Sequence, residues 1–386
     1  MITPLPGCIA HCKREPAPLL PPRLFPLLFI ALFALLTGCG TTSGKRTSPA
    51  GAAGSTETSA IDNSRSPAVQ KLIGEANAMA PLARSDLARR FLAATDSLPS
   101  IAPRTVFQDP QTREYFSPAE ADAMPDARRS KLLATELDEL RYYYSKYGSP
   151  LAYMRVLDLA AAHGISDVAR KRVMDFGYGS IGQLRLLASL GASVTGVDPD
   201  SYLDALYRES RDQGSVALAG RLFTLGGGDI TLVHGSYPKD PAMVARAGQG
   251  YDLIISKNTL KRGYIKPERK VEKRLLIDLG VSDEVFLKTL AAALKPGGKL
   301  IIYNVYPKAA AAHEAYKPWS DGRSPFSRQQ FEKAGLRVLA FDTADNEPAR
   351  EMGRALKWEQ NERGEVIDNL DTNLFASYTI LEKPPG

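Results

Sequence analysis

From Lys171 to the end of the chain, short apolar runs alternate with segments whose apolar residues recur every three or four positions. The runs predict strands near 172–176, 193–197, 230–234, 251–256, 299–303, 336–341 and 375–381. The periodic segments predict helices near 181–190, 200–213, 239–247, 282–294 and 327–334. Ser327 and Gly335 bracket the last of these as a side-chain cap and a glycine stop. Upstream, residues 67–170 read as helical, with Pro67, Pro81 and Pro99 punctuating the first pieces. The clearest amphipathic stretches there are 85–98 and 128–147, the latter carrying Tyr142, Tyr143, Tyr144 and Tyr147. Strands alternating with helices predict a doubly wound α/β fold: a mostly parallel seven-stranded sheet behind an N-terminal helical cap.

The segment from Lys171 to Asp200 carries the densest chemistry. Val173 and Met174 make a strand, Gly177, Gly179 and Gly182 a glycine turn, and Leu184, Leu187, Ala188 and Leu190 the apolar face of a helix. Glycine suits such a turn because it lacks the Cβ that would bar a close approach. Asp198, at the end of the following strand, is placed to accept hydroxyls of a ribose. The spacing of Gly177-Tyr178-Gly179-Ser180-Ile181-Gly182 also fits a dinucleotide site, so a nicotinamide oxidoreductase is one reading. Asp175 argues against it, because a carboxylate beside the turn repels a pyrophosphate and suits an ammonium group.

With Tyr251 to Ser256 as a fourth strand and the Lys295-Pro-Gly-Gly turn leading into a fifth, the segment resembles the class I S-adenosylmethionine-dependent methyltransferase family over roughly residues 140–386. The resemblance implies a Rossmann-like domain over 171–386, its last two strands pairing antiparallel, with S-adenosyl-L-methionine as cofactor. It implies that Asp175 positions the amino-acid end of that cofactor. Gly177, Tyr178, Gly179 and Gly182 would pack against its methionine part, and Asp198 with Pro199 would meet the ribose. Ser236 stands where the family often has an acid near the adenine, and Ser256 closes the fourth strand beside the crevice.

Methyl transfer from a sulfonium draws mainly on approximation, so no catalytic constellation need be visible. Lys257, Asn258 and Tyr264, in the segment after the fourth strand, are the candidates for contacting or deprotonating an acceptor; loop structure is their other reading. From Lys257 to Arg274 eight cations face only Glu268 and Glu272, a run that reads as a solvated face or a site for an anion. His11, His163, His234 and His313 lack ligand spacing, so no metal site is expected. A GxSxG, a CxxC and a P-loop lysine are all missing from the sequence, leaving hydrolase, thiol-redox and nucleotidase readings without support.

The beginning of the chain tells a different story. Residues 24–36 form an apolar run of 13 preceded by Lys13, Arg14 and Arg23, which reads as the core of a signal peptide over 1–38. Leu36-Thr37-Gly38-Cys39 resembles a bacterial lipoprotein cleavage box, which implies lipidation of Cys39. Residues 39–66, rich in Ser, Thr, Gly and Ala, are expected to be a disordered tether. All three cysteines (Cys8, Cys12, Cys39) precede the folded part. The expected location is the cell envelope, lipid-anchored at the outer membrane and facing the periplasm. It is the cytoplasm if the leader is not functional or translation starts at Met79. Because S-adenosylmethionine is cytosolic, a non-catalytic envelope lipoprotein using the same scaffold for binding is the rival reading. The net charge of +6 is mild, and no nucleic-acid partner is expected. The expected partners are a small-molecule or envelope-associated acceptor and, through Cys39, a membrane; the oligomeric state is left open.

Overall fold

The structure, a computed structural model, describes residues 65–216 and 227–385. The leader, Cys39 and the tether up to residue 64 lie outside the described residues.

Helices open the folded part where side chains satisfy their first amides. Ser66 accepts from Val69 N at 3.4 Å ahead of Pro67–Met79, and Ser85 accepts from Ala88 N at 3.1 Å ahead of Asp86–Ala93. Asp158, on the helix Met154–Ala162, accepts the amides of Arg84 and Ser85 and the Ser85 hydroxyl at 2.7–3.1 Å. The cap is not wholly helical. β1 (Arg104–Gln108), β2 (Tyr115–Phe116) and β3 (Leu133–Leu137) form an antiparallel sheet ordered β2-β1-β3. The expected helix over 128–147 is therefore replaced by Asp126–Arg129, β3 and Glu139–Tyr144. Leu133, Thr135 and Leu137 also fit a two-residue period, and the β1 backbone supplies the ladder that selects it.

The strands of the main sheet lie close to their expected positions along the chain. Its strands are β4 (Arg172–Phe176), β5 (Ser193–Asp198), β6 (Gly214–Ser215), β7 (Asp229–His234), β8 (Tyr251–Lys257), β9 (Leu294–Pro307), β10 (Arg337–Ala344) and β11 (Leu374–Glu382). They lie in the order β10-β11-β9-β8-β4-β5-β7-β6. The β4–β5, β5–β7, β4–β8 and β8–β9 pairs are parallel, and β11 runs antiparallel to both β9 and β10. The fold is thus the mostly parallel, doubly wound α/β class, with two-residue β6 as an eighth, edge strand. The helix expected over 200–213 stops at Leu206, followed by a turn at Ser210–Asp212.

Alternation along the strands divides the core. Val173, Val194, Ile255 and Ile301 face the N-terminal helices, the glycine-loop helix Gly182–Ser189 and the helix Asn346–Ala355. Met174, Val197, Ile254 and Ile302 face Pro241–Ala247, Asp283–Ala293 and Arg328–Lys333. Two buried ionic clusters tie the first layer together. Arg155 holds Asp345 through two bonds of 2.7 and 2.8 Å, and the Tyr303 hydroxyl donates to the same carboxylate at 3.0 Å. Arg104 grips Asp212 at 2.6 and 2.9 Å, and Tyr142 donates to Asp212 at 2.8 Å while accepting from Arg185 at 2.7 and 2.9 Å. This second cluster joins β1, the helix Glu139–Tyr144 and the glycine-loop helix.

Removing one member of such a cluster leaves charge stranded in the interior. Asp212→Ala is expected to lower unfolding stability by about 3–5 kcal/mol, because Arg185 loses its carboxylate and Arg104 keeps only the more exposed Glu209, at 3.3 Å. Tyr142→Phe, which keeps the ion pair, should cost only about 1–2 kcal/mol. Urea denaturation followed by far-UV circular dichroism measures both, and equal losses would contradict the assignment of Asp212 as the hub.

Candidate functional site

In an open α/β sheet, ligands lie at the carboxyl ends of the strands where the order reverses. Here that point falls between β4 and β8, and the register sorts the sequence candidates by face. Asp175 pairs with Ile255 and Gly196 in the ladders, and Asp198 is two residues beyond Gly196, so Asp175, Asp198 and Lys257 project to one side. Ser256 alternates to the other side. It is fully buried there, its hydroxyl lacking a hydrogen-bond partner among the described residues. Ser236 and Pro199 are exposed, and Ser236 bonds to neither aspartate. The structure therefore brings Asp175, Asp198 and Lys257 together and leaves Ser256 across the sheet.

Asp175 is completely buried, and Gln183 Nε2 donates to its Oδ2 at 3.0 Å. Its Oδ1 has no hydrogen-bond partner of regular geometry, although the Tyr153 hydroxyl faces the carboxyl. Burial pushes its pKa up to about 7, against the opposing pull of Gln183, Tyr153 and Lys257. Asp198 accepts from Asp200 N at 2.9 Å and Gly179 N at 3.4 Å. Burial raises it to about 6 in spite of those amides. Each carboxylate oxygen keeps a further lone pair, so Asp198 can still accept from two hydroxyls.

The glycine turn adopts the backbone its sequence suggests, with φ of +74° at Gly177 and +63° at Gly179. Each glycine also has an internal reason to lack a side chain. A Cβ at Gly177 would overlap the Thr259 side chain, and one at Gly179 would lie 3.2 Å from the Tyr147 ring. One at Gly182 would lie 2.7 Å from both Tyr143 O and Pro150. Residues 143–150 thus cover the turn, secured by Ser145 Oγ donating to Gly179 O at 2.5 Å. Tyr147 and Lys146 both reach Asp200 Oδ2 at 2.7 Å. Tyr178 turns inward: its ring packs over Gly196, and its hydroxyl lacks a partner among the described residues. Its ring centroid is 6.1 Å from that of His234, both of whose ring nitrogens are buried without a hydrogen-bond partner among the described residues, Nε2 lying 3.9 Å from Asp204.

The segment after β8 is pinned on both sides. Asn258, at φ +63°, donates its amide to Tyr303 O at 2.9 Å and accepts from Val305 N at 2.8 Å through its side chain. Asn tolerates this left-handed conformation better than most residues. Its side-chain oxygen is therefore committed to the sheet. Asn304 Nδ2 donates to Leu260 O and Gly322 O, both at 2.9 Å. A Cβ at Gly263 would overlap Pro318 O. Lys257 Nζ lies 5.4 Å from the Tyr153 ring centroid, and Lys261 Nζ donates to Val305 O at 2.6 Å. Tyr264, half-buried and pushed up to about 12 by burial, stands 5.6 Å from Lys261 Nζ. Three of the six outer cations of the run are matched by carboxylates: Arg262 by Glu268, Lys266 by Asp283 and Arg274 by Glu272.

Sequence reasoning missed Gln183, Tyr153 and Lys261. Gln183 left a trace, being a polar residue directly after the last glycine of the turn, at the start of the helix. Tyr153 left none, since only the folding of its segment against β4 brings it to Asp175. Of the four clustered tyrosines, Tyr142 and Tyr143 pack the core and Tyr147 lies over the glycine turn.

No protein-family model matches the chain, and no curated protein matches it in sequence. Solved structures of similar shape include a SAM-dependent methyltransferase from Thiobacillus denitrificans in complex with S-adenosyl-L-homocysteine, at 16% identity and TM-score 0.33 over 59% of this chain and 91% of that one. A TehB-like SAM-dependent methyltransferase from Corynebacterium glutamicum is similar at 15% identity and TM-score 0.27, over 61% and 97% of the two chains. The [4+2]-cyclase SpnF is similar at 16% identity and TM-score 0.34, over 60% and 81%. The neighbours are thus methyltransferases and a cyclase, and likeness at this level assigns no activity or residue role to the present chain.

Proposed function

We propose that the chain binds S-adenosyl-L-methionine at the carboxyl edge of β4 and β5 and directs methyl transfer to a small or envelope-associated acceptor beside the 257–264 segment. The observation that carries this reading is the Asp175 carboxylate. A fully buried acid with one oxygen unmatched is costly unless something else partners it. An ammonium group at the amino-acid end of the cofactor supplies the missing donors, and Asp198 has lone pairs left for the ribose. Gln183 and Tyr153 hold the Asp175 carboxyl in place, while the tyrosine-bearing segment 143–153 keeps water from the face of the sheet that the two acids share. When bound, the cofactor supplies an electrophilic methyl group. The residues here would contribute position and desolvation, effects that suffice for displacement at a sulfonium.

A second reading has its own observation. Thr259, Tyr147, Tyr143 and Pro150 already account for the three glycines, so the turn does not by itself speak for a ligand. A non-catalytic module that keeps the fold for binding fits that packing. Calorimetric titration of the full chain with S-adenosyl-L-homocysteine separates the two. Saturable binding, weakened about tenfold or more by Asp198→Ala, is expected; the loss of a charge-assisted pair is worth about 1.5–3 kcal/mol. An indifferent Asp198→Ala variant, or NAD binding in its place, overturns the cofactor reading. Binding without transfer to any fraction of a cell extract favours the module.

The two raised carboxyls give this binding a signed pH dependence. Asp175 and Asp198 ionise near 7 and 6, so affinity for a ligand that donates to both should strengthen by about tenfold or more from pH 5.5 to pH 8. Asp175→Asn should flatten the upper part of that curve. Ligand-free stability runs the other way. The folded state holds these protons more tightly than the unfolded chain, whose carboxyls titrate near 3.8, so their contribution declines as pH rises from about 4 through 7. Titrations and thermal melts across this range check both signs.

The envelope location is proposed on the leader alone. Wild-type protein should partition with membranes and Cys39→Ala should not; a soluble wild type would remove the anchor from this reading.

A further inference from the structure

We propose that Lys257 and Lys261 form an oxyanion-binding subsite that receives a carboxylate or phosphate group of the acceptor. The basic run divides sharply by environment. Arg262, Lys266 and Arg274 have carboxylate partners, Arg269 donates to the carbonyls of Ala312 and Glu314 at 3.0 Å, and Lys270 and Lys273 are exposed. Lys261 is 4% exposed, yet among the described residues neither it nor Lys257 is within ion-pair distance of a carboxylate. The most deeply buried cation of the run is thus left without a counter-ion, and its half-buried neighbour Lys257 with it.

The backbone that carries both lysines is held in place, and so is the Lys261 ammonium. Asn258 and Asn304 stitch their segment to β9, Gly263 is wedged against Pro318, and Lys261 Nζ is held at 2.6 Å by Val305 O. An ammonium fixed on one carbonyl retains donors for an anion. The rings of Tyr153 and Tyr264, 5.4 and 5.6 Å from the two ammonium nitrogens, face the pair without neutralising it. Asp175 is the nearest carboxylate to act on Lys257, and the same acid is assigned to the cofactor ammonium. Once that ammonium is in place, the lysines have no protein anion in reach. Burial pushes Lys257 down to about 8 against the opposing pull of Asp175, and burial together with the neighbouring Lys257 charge pushes Lys261 down to about 7. A bound oxyanion reverses that penalty.

The location of the subsite beside a transferred methyl rests on the cofactor reading, but its anion affinity does not. Inorganic phosphate and benzoate are titrated separately into the full chain by calorimetry, and S-adenosyl-L-homocysteine is titrated in parallel. At least one of the two anions is expected to saturate the wild type, and the one that does identifies the phosphate or carboxylate class. Lys257→Met and Lys261→Met should each weaken that binding about tenfold or more, whereas Lys261→Arg, which keeps the charge, should retain most of it. Thermal melts identify any variant that fails to fold; if Lys261→Met does, the Lys257→Met result decides. No saturation by either anion, or methionine variants that bind like wild type, overturns the subsite. Anion binding without binding of the adenosyl ligand leaves the subsite standing and removes the cofactor reading; the converse result does the opposite.

Discussion

The contact between Asp212 and its two arginines governs where everything around the site comes to rest. Arg104 arrives from the small sheet, Arg185 from the helix behind the glycine turn, and Tyr142 bridges them from the helix that precedes the covering segment. Charges this deeply buried tolerate little displacement, because each partner's desolvation is offset only while the geometry holds. The cluster therefore fixes residues 143–153 against the turn at 177–182. That registration sets the Tyr147 ring over Gly179 and the Tyr153 hydroxyl against Asp175.

Around that anchor the polar groups fall into two populations. Asp158, Asp345 and Asp212 are buried and fully engaged, each binding amides or guanidinium groups from a different element. They act as fasteners between layers. Asp175 and Lys261 are buried, Lys257 is half-buried, and all three are incompletely engaged at or just beyond the carboxyl ends of β4 and β8. Unpartnered buried atoms occur elsewhere too, at Tyr237 and Glu359 for example, but the gathering of a carboxylate and two ammonium groups at one edge of the sheet marks the place where an external partner would complete the chemistry. A zwitterionic amino-acid group beside an anionic acceptor meets the charges that this edge presents.

The glycines carry a lesson about inference. In the sequence their spacing with Asp175 and Asp198 pointed to a ligand, and the turn does have the backbone that spacing implies. In the folded chain Thr259, Tyr147, Tyr143 and Pro150 supply an alternative reason for each of them. Asp175 points to a ligand more strongly than the glycines do, since packing explains an absent Cβ but does not explain an unmatched buried carboxylate oxygen.

Local pattern was enough to specify the sheet, because each strand's apolar run and each helix's periodic face are properties of a few consecutive residues. It also located Asp175 and Asp198, which sit at strand ends defined by those same runs. The broken helix at 128–147 was not legible, since Leu133 to Leu137 satisfies both periods and only pairing with β1 decides between them. Nor was the separation of Ser256 from Asp175, which depends on a register between strands about 80 residues apart. Lys261 looked like any member of a solvated basic run; tertiary packing alone divides those cations into paired, exposed and buried. What a residue is can be read along the chain, but which charges end up facing one another without partners depends on distant elements packing together.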